Sequence, residues 1–142
     1  MLDAKTMHAV GMLMARTARQ RATETDVTAN ETIDLSPLLK PWKAGPQTVG
    51  EVVTYDGYPY KVIQAHDSTG NDGWNPAATP ALFAPYHGTD AVHALPWAAP
   101  THAGDAYMSG EYMIYTDGLT YMCIMDSTVH APDVLPGAWE EV

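Results

Sequence analysis

Two β-hairpin signals of the same design lie about 60 residues apart in this sequence. Each is an Asp-Gly dipeptide, Asp56-Gly57 or Asp117-Gly118, between segments rich in strand-forming residues. The predicted strands cover residues 49–55, 58–65, 111–116 and 119–125. Both central residues of a type I′ turn have positive φ, which glycine accepts readily. The sequence therefore predicts two hairpins, each closed by a type I′ turn.

The two hairpins belong to two longer matching units. Gly50, Glu51 and Tyr55 recur 60 residues later, and Gly57 and Tyr60 recur 61 residues later. Each unit also opens with a tryptophan and continues to an Asp-Ser-Thr triplet and a proline: Trp42, 67–69 and Pro76 in the first, Trp97, 126–128 and Pro132 in the second. The offset changes at the turns, where insertions are tolerated. The pattern indicates two copies of one small fold in tandem.

The composition changes near residue 40. Residues 1–40 carry five basic and five acidic side chains and no aromatic residue, whereas residues 41–142 carry two lysines, twelve carboxylates and all thirteen aromatic residues. We therefore predict a mainly β protein with an N-terminal α-helix. Its predicted parts are a helix and linker for attachment or oligomerisation over 1–40, a first β unit over 41–90 and a second β unit over 91–142.

Residues 1–22 have the pattern of an amphipathic helix. Met7, Val10, Met14 and Thr17 follow a three-four spacing and form one stripe. An isolated helix of this length is marginal in water, so the stripe must pack against something. Two alternatives stay open: packing on the chain's own β part, or a short parallel bundle between copies with these four residues as its seam. We expect a homo-oligomer, with a trimer favoured.

Charge and composition exclude several classes of function. Seven Lys and Arg against 17 Asp and Glu argue against a nucleic-acid partner. No apolar run is long enough for a membrane span or a secretory signal. The single cysteine, Cys123, excludes an internal disulfide and a Cys-rich zinc site, and no histidines have metal-ligand spacing. No catalytic motif is present, so we predict no enzyme, no cofactor and no metal.

The tandem units resemble the chitinase-type carbohydrate-binding modules of families 5 and 12. The shared pattern is a tryptophan, then Gly-acid-x-Val-x-Tyr-x-Gly-x-x-Tyr, then a proline-containing tail that ends in an aromatic residue. The resemblance covers residues 42–86 best and residues 97–139 less well. It implies compact all-β modules with exposed aromatic rings that stack on sugars.

The order of all the parts is similar to that of short phage and prophage tail-region proteins. After the leading helix, the pieces that carry this resemblance are residues 38–42, 64–66, 74–76, 80–83, 96–97, 107–110 and 136–141. It implies a non-enzymatic structural protein of the virion, in the tail or fibre region, with other virion proteins and host-surface or cell-wall polysaccharide as partners. The alternative is a head or tail decoration protein whose modules are purely structural.

Sugar binding needs flat apolar faces, and four rings of the first unit are candidates. They are Trp74, Tyr55, Tyr58 and Tyr60, on or after the first hairpin. The alternative is that all four belong to the core of a unit that has little else to bury. The second unit has His130-Ala-Pro132 where the first has Trp74-Asn-Pro76. The first unit is therefore the better candidate for ligand binding.

Overall fold

The computed structural model describes residues 3–142, which form an N-terminal helical segment followed by two small four-stranded sheets and a two-stranded ribbon. The helices are α1 (Ala4–Ala22) and α2 (Ala29–Leu35), followed by a 3-10 turn (Ser36–Leu38). The strands up to residue 85 are β1 (Lys40–Pro41), β2 (Pro46–Gln47), β3 (Val52–Tyr55), β4 (Tyr58–Val62), β5 (His66–Asp67) and β6 (Phe83–Pro85). The predicted fold class, mainly β with an N-terminal helix, is confirmed.

The second half contains four more strands and two further 3-10 turns. The strands are β7 (Leu95–Pro96), β8 (Tyr112–Ile114), β9 (Thr120–Cys123) and β10 (Trp139–Glu141). The 3-10 turns are Ala103–Asp105 and Pro136–Ala138. All four hairpin strands are shorter than the sequence predicted. Backbone hydrogen bonds continue beyond their ends in an irregular pattern, since both Gly50 and Glu51 bond to Val62.

The repeat in the sequence is a repeat in the topology. The first sheet has the order β1-β3-β4-β6 and the second has the corresponding order β7-β8-β9-β10. In each sheet the first pair is parallel and the other two are antiparallel. The tryptophan that opens each unit donates its backbone N–H to the equivalent strand residue: Trp42 to Thr54 and Trp97 to Ile114, both at 2.8 Å.

The two Asp-Ser-Thr triplets, in contrast, do not occupy equivalent positions. In the first unit Gln47 of β2 lies opposite His66 of β5. In the second unit Tyr107, which is the counterpart of Gln47, lies opposite Thr128. The partner of Tyr107 therefore belongs to the triplet, while the partner of Gln47 precedes it. The triplet match is a similarity of sequence and not of structure.

The two hairpin turns also differ, which corrects the prediction of two type I′ turns. In the first hairpin Tyr55 pairs with Tyr58, and both Asp56 (φ 53°) and Gly57 (φ 83°) have positive φ, as a type I′ turn requires. In the second hairpin the N–H of Tyr115 donates to the carbonyl of Leu119 and closes a three-residue loop. Only the last residue of that loop, Gly118 (φ 82°), has positive φ. This is the type I turn with a glycine bulge. The extra residue explains why the repeat offset changes from 60 to 61.

One face of the first sheet packs against the helical segment. Ala18 and Ala22, at the end of α1, form a buried cluster with Leu39 and Val52, and Tyr86 packs against its edge. Small alanine side chains allow the helix to approach the sheet closely. The end of α1 is thus anchored on the β part of its own chain, through residues outside the predicted stripe.

A small core covers the opposite face of the first sheet. It is formed by Val53, Val62 and Phe83, with Trp42 and Tyr60 packed against it. The second sheet has a core of its own, which contains the buried side chains Tyr107, Met113, Cys123, Ala138 and Trp139. Each core is small and relies on aromatic rings, which bury a large area per residue.

The remainder of α1 extends beyond these contacts. Asp3 caps the helix by accepting the backbone N–H of Thr6 at 2.7 Å. The predicted seam residues Met7, Val10, Met14 and Thr17 are all exposed in the single chain. Among residues 3–142, no helix is both long and apolar enough to cross a bilayer.

The segment between the two units is held by a polar clamp. The His93 ring bridges two aspartates. Its Nδ1 lies 2.7 Å from Asp90 Oδ1, and its Nε2 lies 2.8 Å from Asp34 Oδ1 on α2. Asn30, also on α2, accepts the backbone N–H of Thr89. These contacts tie the segment that starts the second unit to the helical segment.

We expect Gly57→Val and Gly118→Val each to destabilise the protein by roughly 1–3 kcal/mol, because a β-branched residue is strained at positive φ. Gly73→Val is the control, since Gly73 is exposed, has no positive φ and has open space around its Cα. Thermal unfolding measures the three variants. A harmless Gly118→Val variant would mean that the second loop does not hold the bulge conformation in solution.

We expect His93 to make stability depend on pH. Its hydrogen bonds to Asp34 and Asp90 raise the pKa of His93 above 6.5, its ordinary value. The stabilisation is then complete below about pH 6.5 and is lost as the pH rises through the raised pKa of the folded protein. The thermal midpoint should fall between pH 6 and pH 9 more steeply in the wild type than in His93→Gln. Equal slopes in the two proteins would contradict this clamp.

Candidate functional site

Three of the four predicted site residues lie on one face of the first hairpin. Tyr55 of β3 is directly opposite Tyr58 of β4, and Tyr60 is opposite Val53. Since alternate residues of a strand share a face, the three tyrosines lie on the same side as the small core of this unit. Tyr58 is 39% exposed, and Tyr55 and Tyr60 are half-buried.

These tyrosines form one wall of a groove between the two units, which we call the inter-unit groove. It has a volume of about 220 Å³. The groove is lined by Tyr55, Asp56, Tyr58, Pro59, Tyr60 and Ala77 of the first unit, by Pro85, Tyr86 and His87 of the following segment, and by Leu95, Pro96, Trp97, Ala98 and Tyr107 of the second part. An adjoining pocket of about 320 Å³ shares Tyr60, Ala77 and Trp97 with it.

Three stacked rings form the opposite wall. The Tyr107 ring lies between His87, at a centroid distance of 3.7 Å and an interplanar angle of 5°, and Trp97, at 5.2 Å and 12°. Trp97 also meets Trp139 edge to face at 5.9 Å. The hydroxyl of Tyr107 accepts the backbone N–H of Ala98 at 3.2 Å. This wall is therefore rigid, because packing and hydrogen bonding fix each ring.

Hydroxyl groups of the first wall are available to a ligand. Burial raises the pKa of Tyr60, so its phenol stays protonated near neutral pH and is able to donate and accept. Within the described residues, the hydroxyls of Tyr55, Tyr58 and Tyr60 make no hydrogen bond to the protein.

The equivalent surface of the second unit is different. The Tyr121 hydroxyl donates to Asp117 at 2.7 Å, which raises the pKa of Tyr121 to about 12, and the Tyr115 hydroxyl donates to Asp133 at 3.0 Å. Leu119 stands where the first unit has Tyr58. The hydroxyls that are free in the first unit are therefore occupied in the second.

Trp74 lies outside the groove that the three tyrosines line. It is 44% exposed, in the loop where its backbone N–H donates to Asn71. It lines neither the inter-unit groove nor the adjoining pocket. The structure thus brings Tyr55, Tyr58 and Tyr60 together and leaves Trp74 as a separate exposed ring.

The histidines of the connecting region have protein partners. His87 Nδ1 lies 3.0 Å from Glu111, His93 lies between two aspartates, and His102 Nδ1 accepts the N–H of Gly104. Within residues 3–142 no group of three or more His, Cys, Asp or Glu side chains is arranged to hold a metal ion.

Residues 41–84 match carbohydrate-binding module family 5/12. A module of this family is therefore found in the first unit, and it contains all four predicted site residues. The second unit lies outside the matched residues. A comparison with curated proteins returned no match.

A solved structure is also similar in part. It is the crystal structure of a family GH18 chitinase from Chromobacterium violaceum, with 34% sequence identity and a TM-score of 0.31. The match covers 42% of this chain and 16% of the chitinase chain. The likeness thus concerns a short stretch of a much longer enzyme.

Sequence reasoning missed the second wall of the groove. The sequence marks Trp97 only as the residue that opens the second unit, and it does not single out His87. Nothing in the spacing of the aromatic residues shows that the two units face each other. The consecutive aromatic residues Tyr86 and His87, near the end of the first unit, are the one local signal that could have drawn attention to this region.

Proposed function

We propose that this chain is a non-enzymatic structural protein of a phage virion, in the tail or fibre region, that attaches to host-surface or cell-wall polysaccharide through its first unit. The match of residues 41–84 to carbohydrate-binding module family 5/12 carries the binding part of this proposal. That family consists of binding modules, so the matched unit supplies recognition and not catalysis. The resemblance of the whole order of parts to phage tail-region proteins supports the virion location.

The binding surface proposed is that of Tyr55, Tyr58 and Tyr60, with Trp74 as an additional exposed ring. Aromatic faces stack on the C–H faces of sugar rings, and the free tyrosine hydroxyls bond to sugar hydroxyls. Display of several copies on one particle raises a weak single-site affinity by avidity. The likeness to part of a chitinase makes chitin a reasonable first polymer to test.

A specific observation supports a structural role for the second unit. Its equivalent tyrosines, Tyr115 and Tyr121, already bond to carboxylates of their own unit. The alternative function, a head or tail decoration protein whose modules are purely structural, extends this role to both units.

We expect Tyr58→Ala and Trp74→Ala to weaken retention on insoluble polysaccharide without lowering the thermal midpoint, because both rings are exposed. The loss should reach about tenfold, which corresponds to about 1.4 kcal/mol for a stacked ring. Pulldown on chitin, cellulose and bacterial cell wall measures it. Leu119→Ala, at the position equivalent to Tyr58 in the second unit, is the matched control. Wild-type protein that no polymer retains would favour the decoration role.

We also propose that α1 joins copies of this chain through Met7, Val10, Met14 and Thr17. The stripe is exposed in the single chain, whereas the end of the helix is anchored by Ala18 and Ala22. A helix held at one end and apolar at the other suits a parallel bundle, for which we favour three copies.

We expect Val10→Asp with Met14→Asp to shift the protein to a monomer, because charge is costly at a buried seam. Met12→Asp is the matched control, since Met12 is equally exposed but lies on the opposite side of the helix. Substitution is preferable to deletion of the helix, which would remove Ala18 and Ala22 from the sheet. Light scattering gives the mass, and a wild-type monomer at high concentration would contradict the proposal.

A further inference from the structure

We propose that a bound polysaccharide runs through the inter-unit groove, so that one sugar residue contacts the tyrosines of the first unit and Trp97 of the second part at the same time. This inference rests on the proposed function, polysaccharide binding by the first unit, and adds a second contributor to the site. The two units then form one composite site, although only the first matches the binding-module family.

The shape of the groove supports a single sugar residue of a longer chain. Its volume of about 220 Å³ is smaller than the roughly 300–1,000 Å³ of pockets that enclose drug-sized ligands. The adjoining pocket continues it past Tyr60, Ala77 and Trp97. A polymer therefore has a path through both spaces, with an aromatic wall on each side.

His87 provides a polar group on the second wall. The residue is 9% exposed, and its Nε2 atom is buried without a hydrogen-bond partner in the described residues. Because Nδ1 of His87 lies against the Glu111 carboxyl group, Nε2 is the ring nitrogen that lacks a protein partner. An unpaired buried polar atom is costly, and a sugar hydroxyl or amide that reaches it removes that cost.

The charges around the groove select the class of sugar. Asp56 lines the groove and Asp105 lines the adjoining pocket, and no Lys or Arg of residues 3–142 lines either one. Asp105 is engaged by the backbone N–H groups of Thr101 and His102. A neutral or basic pyranose fits these surroundings, whereas a uronic acid meets negative charge without a cation to pair with it.

The test uses substitutions that add a larger side chain to each wall of the groove. Ala98→Leu adds bulk on the second wall, and Ala77→Leu adds it on the first. Ala78→Leu is the matched control, since Ala78 is the exposed neighbour of Ala77 and lines neither space. The full chain is titrated with a hexamer of N-acetylglucosamine, with its deacetylated basic equivalent, and with an acidic hyaluronan hexamer, and calorimetry measures the affinity.

We expect both groove variants to bind the neutral hexamer at least about tenfold more weakly than wild type, and the control to bind equally. His87→Phe, which keeps the ring against Tyr107, should also weaken binding. In the wild-type protein the indole N–H signal of Trp97 should shift on titration, a readout that requires no substitution. The acidic hexamer should bind more weakly than the other two.

The outcomes separate this inference from the proposed function. If Tyr58→Ala weakens binding but Ala98→Leu and His87→Phe do not, and the Trp97 signal stays in place, the sugar lies on the first unit alone and the composite site is wrong. If Tyr58→Ala binds as well as wild type, or if no hexamer binds at all, the proposed function itself fails, and the composite site fails with it.

Discussion

The close approach of Gly88 to the carbonyl of His93 is the constraint on which the arrangement of the two units depends. A Cβ atom at position 88 would lie 2.1 Å from that oxygen, so no other residue fits without moving the backbone. At the same point, the Gly88 carbonyl accepts the N–H of Tyr112 in the second sheet. The connecting segment therefore folds back on itself and is hydrogen-bonded to the unit that it introduces.

This compact connection explains why the groove exists. His87 comes directly before Gly88, and its ring is held against Tyr107 by stacking and by the contact with Glu111. Tyr107 in turn holds Trp97. The first unit ends at this stack, so its tyrosine face is brought opposite Trp97 with both walls fixed before any ligand arrives. Preorganised walls lower the entropy that binding must overcome.

The two copies of the fold have diverged in what their equivalent side chains do. Both keep the sheet order and the tryptophan hydrogen bond, which are properties of the backbone and the core. On the surface, Tyr58 has become Leu119 in the second copy, and the hydroxyl equivalent to that of Tyr60 is bonded to Asp117. The second copy instead contributes its opening tryptophan to the surface of the first. The second copy thus lines the groove and does not repeat the tyrosine face of the first.

Elements with local signals are predictable from the sequence. The Asp-Gly pairs and the recurring Gly-Glu motif were enough to predict the hairpins and the repeat, and the three-four spacing of apolar residues was enough to predict the N-terminal helix. Local signals do not, however, distinguish a two-residue from a three-residue loop when both contain Asp-Gly, and the second turn was therefore predicted wrongly. Three facts come from the folded structure: Ala18 and Ala22 pack on Val52, Trp74 lies outside the groove, and Trp97 faces the tyrosines across it. Those facts depend on contacts between residues far apart in the chain, which are set by the path of the connecting segment around Gly88 and leave no periodic pattern in the sequence.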